Sequence, residues 1–145
     1  MVNFQLDEMQ EMLKELAHEF SVEEIRPSAE HWDNEALYPK EAIMKAHEMG
    51  LLNLHIPEAY GGPGLGCMEE VIVNEELAWG DPGFATAAYA TSLACAPIIT
   101  GGTESQKQKW LGMVAKDGAL ASYAVTEPGA GSDVAACKTT AIKDG

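Results

Sequence analysis

Basic residues are scarce in this chain. Nine Lys and Arg face 23 Asp and Glu, for a formal net charge of −14 over 145 residues. A surface of that sign repels a phosphate backbone, which excludes a role built on nucleic-acid contacts. Cysteine is sparse as well: Cys67, Cys95 and Cys137 lie far apart and form no CxxC pair. An odd, scattered set predicts reduced thiols in an intracellular protein, not a disulfide framework. His18, His31, His47 and His55 show no metal-ligand spacing, and His47-Glu48 lacks the second histidine of a zinc-protease helix, so no metal site is expected. The N-terminus, MVNFQLDEM, is acidic where a secretory or transit peptide is basic. The apolar runs read as shorter than the roughly 18–20 residues that span a bilayer, so a soluble protein is expected. Internal repeats and low-complexity tracts are lacking.

What is there describes an ordinary globular chain. Hydrophobic residues make up 46% of it, too many for wholesale disorder. Its length holds one domain, or one domain plus part of another. Apolar residues at Leu6, Met9, Leu13, Leu16, Ala17 and Phe20 predict a first helix, opened by the capping-box pair Asp7 and Gln10 and ended by Pro27. A second helix is predicted from Pro39 to Met49, with Gly50 as its left-handed cap. Leu51 to Ile56 reads as short and extended. The stretch PEAYGGPGLG, Pro57 to Gly66, is a loop. Met68, Val71, Ile72 and Ala78 mark a third helix, stopped by Gly80-Asp81-Pro82-Gly83.

Phe84 to Thr100 carries no charge, and a helix apolar all round is expected to be buried on every side. Thr103 and Gln106 predict another capping box and a helix that stops near Gly118. Beyond Ala119 the pattern changes. Leu120 to Thr126 and Lys138 to Ile142 read as strands, and Asp144-Gly145 as a tight hairpin turn. With nothing after it to pair, such a sheet implies the front part of a longer protein, cut inside a β domain.

The most specific string is YAVTEPGAGSDV, Tyr123 to Val134. Gly129 and Gly131 lack a Cβ, so backbone there can approach a ligand closely. The Thr126 and Ser132 hydroxyls flank the turn as possible donors to a polar ring or a phosphate. The string resembles the signature of the acyl-CoA dehydrogenases, flavoenzymes that introduce a double bond between the α and β carbons of acyl-CoA thioesters. LLNLHIPEAYGGPGLG, NEELAWGDPG and GTESQKQKWL are similar to family segments in the same order, with the medium- and short-chain branches nearest.

The resemblance implies a mainly α fold. Residues 1–118 would form the family's N-terminal helical-bundle domain, and residues 119–145 the first strands of a truncated β-barrel-like middle domain. It implies FAD held along Tyr123, Ala124, Val125, Thr126, Glu127, Pro128, Gly129, Ala130, Gly131 and Ser132. Thr126 would lie near the flavin ring, and Ser132 near the pyrophosphate and the CoA moiety of the substrate. Tyr89, on the charge-free helix, would line the acyl pocket and set chain length. No catalytic base is expected here: the family's glutamate and a Trp-Ile-Thr-type flavin strand would both follow Gly145, Glu127 would brace the turn, and Asp133 reads as a turn or cap residue. The fragment alone is therefore expected to be inactive. Implied partners are an acyl-CoA, electron-transfer flavoprotein and further copies in a homotetramer, with no nucleic acid and no membrane span. The implied compartment is the mitochondrial matrix in a eukaryote or the cytoplasm in a bacterium. Two alternatives stay open: an acyl-CoA oxidase or nitroalkane oxidase relative of the same fold, or a non-catalytic helical interaction module.

Overall fold

Capping chemistry sets where the helices begin. The structure, a computed structural model, describes residues 5–144. Helix α1 (Glu8–Phe20) opens on Asp7, whose carboxylate accepts the Gln10 N–H at 2.9 Å while Gln10 Oε1 accepts the Asp7 N–H at 3.1 Å. Thr103 and Gln106 repeat the exchange at α6 (Glu104–Asp117). Such caps contribute about 1 kcal/mol each. Asp81 caps α5 (Pro82–Gly101) by accepting the Phe84 N–H at 2.5 Å. Helix α4 (Cys67–Gly80) starts at Gly66, which has no side chain to offer, so Glu69 closes the turn by accepting the Gly66 N–H at 2.9 Å. Helix α3 (Lys40–Glu48) has Pro39 as its N-cap and ends through Gly50 at φ 74°. There the Gly50 N–H returns to His47 O at 2.9 Å and the Leu51 N–H to Ala46 O at 3.0 Å, a Schellman closure.

The structure departs from the sequence reading at several points. The first helix does not end at Pro27. A π-helical run, Ser21–Ile25, joins α1 to α2 (Arg26–Asn34), and Pro27 falls in the first turn of α2. The Arg26 N–H reaches Ser21 O five residues back, so the widened turn lets the chain continue past a residue with no N–H. Leu51–Ile56 is a turn, not an extended segment: Asn53 takes φ 59° and Ile56 N–H closes on Asn53 O at 3.1 Å. Helix α5 is not buried on every side, since Tyr89 is 39% and Leu93 45% exposed. It is also long and apolar enough, by length and composition, to cross a membrane, which corrects the reading of the apolar runs as too short. Leu120–Thr126 and Lys138–Ile142 form no strand among the described residues. A single antiparallel bridge, Glu127 to Ala130, is all the pairing there. The expected Asp144-Gly145 turn reaches Gly145, which lies outside the described residues.

The core sits where α1, α4 and α5 meet. Ala17, Phe20 and Ile25 pack against Val73, Leu77 and Phe84, with Ile43 and Ala46 of α3 closing one side. Trp32 stacks on Phe84 with centroids 5.8 Å apart. A second cluster joins α5 to α6 through Cys95, Leu111 and Val114, and Ile56 from the connecting loop fills it. Burial pushes the Cys95 thiol up to about 11, so that sulfur is a core atom and not a reactive one. The segment after α6 is pinned to α5 by one hydroxyl: Thr91 Oγ1 accepts the Ala121 N–H at 3.2 Å and donates to Ala121 O at 3.3 Å.

Candidate functional site

An open cleft of about 450 Å³ lies between α4 and α5. Its walls are Val71, Ala78, Ala85, Ala90 and Leu93, with Cys67, Glu70, Asn74, Thr86 and Tyr89 supplying the polar atoms. Ala78 on α4 and Ala85 and Ala90 on α5 leave room where larger side chains would fill the gap. Burial, then the nearby charge of Glu70, then Cys67, raises the Tyr89 hydroxyl above its ordinary value and keeps it protonated as a donor.

Glu70 is the side chain that sequence reasoning missed. Its carboxylate is 13% exposed and accepts the His55 Nδ1–H at 2.5 Å, while Asn74 Nδ2 donates to the Glu70 backbone carbonyl at 2.8 Å. The signal lay in its register, for Glu70 shares an i, i+3, i+7 row with buried Val73 and Leu77. An acidic residue on an inward row has a reason to be there.

The signature forms a separate, self-closed loop. Glu127 N–H donates to Ala130 O at 2.9 Å and Ala130 N–H to Glu127 O at 3.1 Å, a tight turn over Pro128-Gly129. The Glu127 carboxylate accepts the N–H groups of Lys138 at 2.8 Å and Thr139 at 2.9 Å. Those bonds, Lys138 first, hold its carboxyl below the usual carboxylate range. Cys137 Sγ adds a contact to Val125 O at 3.5 Å, and Asp133 starts the short turn Val134–Ala136. Glu127 thus braces the turn. Ala130 is buried, whereas Tyr123, Ala124, Thr126, Pro128, Gly129, Gly131 and Ser132 are exposed. A Cβ built on Gly129 or Gly131 meets nothing within 4 Å, and neither glycine has a positive φ. The chain's own packing therefore does not require glycine at either position. Tyr89 and the signature do not share a cavity: none of Tyr123–Ser132 lines the cleft.

The sequence profile of the acyl-CoA dehydrogenase N-terminal domain matches residues 7–117, from the first N-cap to the end of α6. The chain belongs to the acyl-CoA dehydrogenase family. A probable medium-chain specific acyl-CoA dehydrogenase, mitochondrial, of Caenorhabditis briggsae is 43% identical over 144 residues, 99% of this chain and 35% of that protein. A glutaryl-CoA dehydrogenase in complex with glutaryl-CoA has the same fold, with a TM-score of 0.85 and 35% identity over 94% of this chain and 35% of its own. An acyl-CoA dehydrogenase complexed with FAD from Bacillus anthracis superposes at a TM-score of 0.84 and 31% identity, over 95% of this chain and 24% of its own. The chain spans about a third of the length of the curated relatives it matches. Its helices are those of the family's N-terminal domain.

Proposed function

We propose that this chain is the N-terminal part of an FAD-dependent acyl-CoA dehydrogenase, with residues 1–118 as its helical domain and 119–145 opening the next. The observation that carries the reading is the apolar cleft between α4 and α5 in a chain of this family. An acyl chain laid along Val71, Ala85 and Leu93 leaves water, and burial of apolar surface at about 25 cal/mol per Å² supplies its affinity. Tyr89 bounds that chain from α5.

The signature fits a flavin nucleotide. Gly129 and Gly131 leave room for close approach, and the exposed Thr126 and Ser132 hydroxyls meet no protein partner among the described residues. Glu127, bonded to Lys138 and Thr139, holds the backbone turn that carries these hydroxyls. Donors fixed in advance on a developing negative charge contribute about 2–4 kcal/mol apiece in a dry site. Bound FAD would supply the hydride acceptor for the β-carbon of the thioester. We assign Thr126 to the ring and Ser132 to the pyrophosphate and CoA side, and no residue of this chain to the proton-abstracting base. Electron-transfer flavoprotein is the proposed acceptor and a homotetramer the proposed assembly, in the matrix of a eukaryote or the cytoplasm of a bacterium.

The test uses the whole protein that carries this chain. It should purify yellow, and anaerobic acyl-CoA should bleach the flavin band. Absence of bound flavin, or a band untouched by any acyl-CoA, refutes the reading. Rapid oxygen consumption with acyl-CoA would move the assignment to an oxidase.

A further inference from the structure

We propose that Glu70, held by His55, makes the acyl cleft selective against acyl groups whose far end carries a negative charge. This rests on the cleft being the acyl site. The named relatives pose the question: one is medium-chain specific, while another is bound to glutaryl-CoA, whose acyl group ends in a carboxylate.

The cleft of this chain suits only the first kind. No Lys or Arg lines it, and its single carboxylate is that of Glu70. His55 bonds that carboxylate and is not itself a lining residue, so Glu70 is the member of the pair that faces the cleft. The hydrogen bond to Nδ1 occupies one oxygen and fixes the side chain on the inner row of α4. With 13% of the side chain exposed, Glu70 cannot swing out to water to make room for a second anion. The Tyr89 hydroxyl, already influenced by the Glu70 charge, does not supply a positive counterpart. A distal carboxylate entering here would be stripped of water opposite the Glu70 carboxylate, with no Lys or Arg on the lining to pair with. A methyl terminus brings no charge to oppose Glu70 and can pack on Val71, Ala85 and Leu93.

The substrates that separate these cases are pentanoyl-CoA and glutaryl-CoA, which have equal carbon counts and differ in the terminal group. In the flavin-loaded whole protein, wild type is expected to favour pentanoyl-CoA in kcat/KM by at least about a hundredfold. Glu70→Gln should shrink that ratio at least about tenfold, chiefly through the KM for glutaryl-CoA. Titration of the flavin spectrum of wild type with each thioester gives the same discrimination as binding, without a variant. Equal or tighter binding of glutaryl-CoA by wild type overturns the proposal, as does an unchanged ratio in Glu70→Gln. Failure of wild type to oxidise any acyl-CoA, with flavin bound, refutes the dehydrogenase reading instead.

Discussion

Replacing Gly129 by alanine separates what the fold requires from what a ligand requires. The added Cβ meets no heavy atom within 4 Å, and the backbone lies outside the left-handed region. Such a change stabilises a chain by about 0.4–1 kcal/mol, because the unfolded state loses more freedom than the folded one. At about 2–4 °C per kcal/mol for a chain of this size, the melting temperature should hold or rise by up to about 4 °C. A nucleotide packed on the same backbone experiences the opposite. Heavy atoms in contact lie about 3.5–4.0 Å apart, so a methyl group projecting about 1.5 Å into that gap cannot be accommodated without a shift. Overpacking of that kind costs about 1–3 kcal/mol, a roughly 5- to 150-fold weaker flavin affinity. Gly131→Ala should behave alike, since its Cβ also meets open space. Circular dichroism melts of this chain and flavin-fluorescence titration of the whole protein read the two quantities independently. Unchanged flavin affinity in both variants refutes the assignment of this turn to the cofactor, and a stability loss above about 1 kcal/mol refutes the packing argument.

Gly62 should show the reverse behaviour: its Cβ would lie 2.2 Å from Ile56 O and 2.5 Å from Ile56 Cβ, so Gly62→Ala should cost about 3 kcal/mol, read as a fall of roughly 6–12 °C in melting temperature. Leu77→Ala empties a fully buried site between α1 and α4 and should cost about 2–5 kcal/mol by urea denaturation, with an unchanged m value. The Gln10 amide above all, then its own and Gly66's backbone N–H, holds the Glu69 carboxyl below the ordinary range. A depressed value adds stability above the unfolded carboxylate value of about 4.3 and loses it as pH falls through the folded one. Glu69→Gln should therefore melt below wild type at pH 7, with the gap closing under acid conditions in a melting series from pH 7 to 3. Tyr89→Ala should extend the accepted acyl chain in a substrate-length profile, and an unchanged preference removes Tyr89 from the wall of the acyl site.

Helix boundaries were legible because their causes are local. Asp7 with Gln10, and Thr103 with Gln106, are reciprocal bonds three residues apart, and Gly50 and Gly118 take the left-handed turns their positions imply. The errors came from effects that reach further. Nothing within a few residues of Pro27 announces a π-turn, which forms because Ser21 and Ile25 both have places in the core beside α4. The apolar run Leu120–Thr126 has strand composition, yet a strand is defined by its partner, and no described residue supplies one. Charge-free α5 was read as central because composition does not show how many neighbours a helix has. The signature was legible as a string. Its geometry, with Glu127 reaching Lys138 and Thr139, depends on contacts eleven and twelve residues away. The Glu70–His55 pair spans fifteen residues and escaped notice for the same reason.

The π-turn at Ser21–Ile25 also fixes the phase of everything downstream. In an unbroken α-helix Ile25 would point about 80° away from Ala17, eight residues earlier. The wider turn brings both into the same core, where each is fully buried. Gly80 marks how tightly that alignment is held, since a Cβ there would touch Ser21 Cβ at 3.0 Å and Ile25 Cβ at 3.1 Å. Deleting one residue, Val22 for example, would restore ordinary winding and leave α2 in phase, because Ile25 would then follow Ala17 by seven residues, about 20° apart on an α-helix. With the extra residue kept, losing the widened turn would instead rotate α2 by about 100° and carry Trp32 off the face of Phe84.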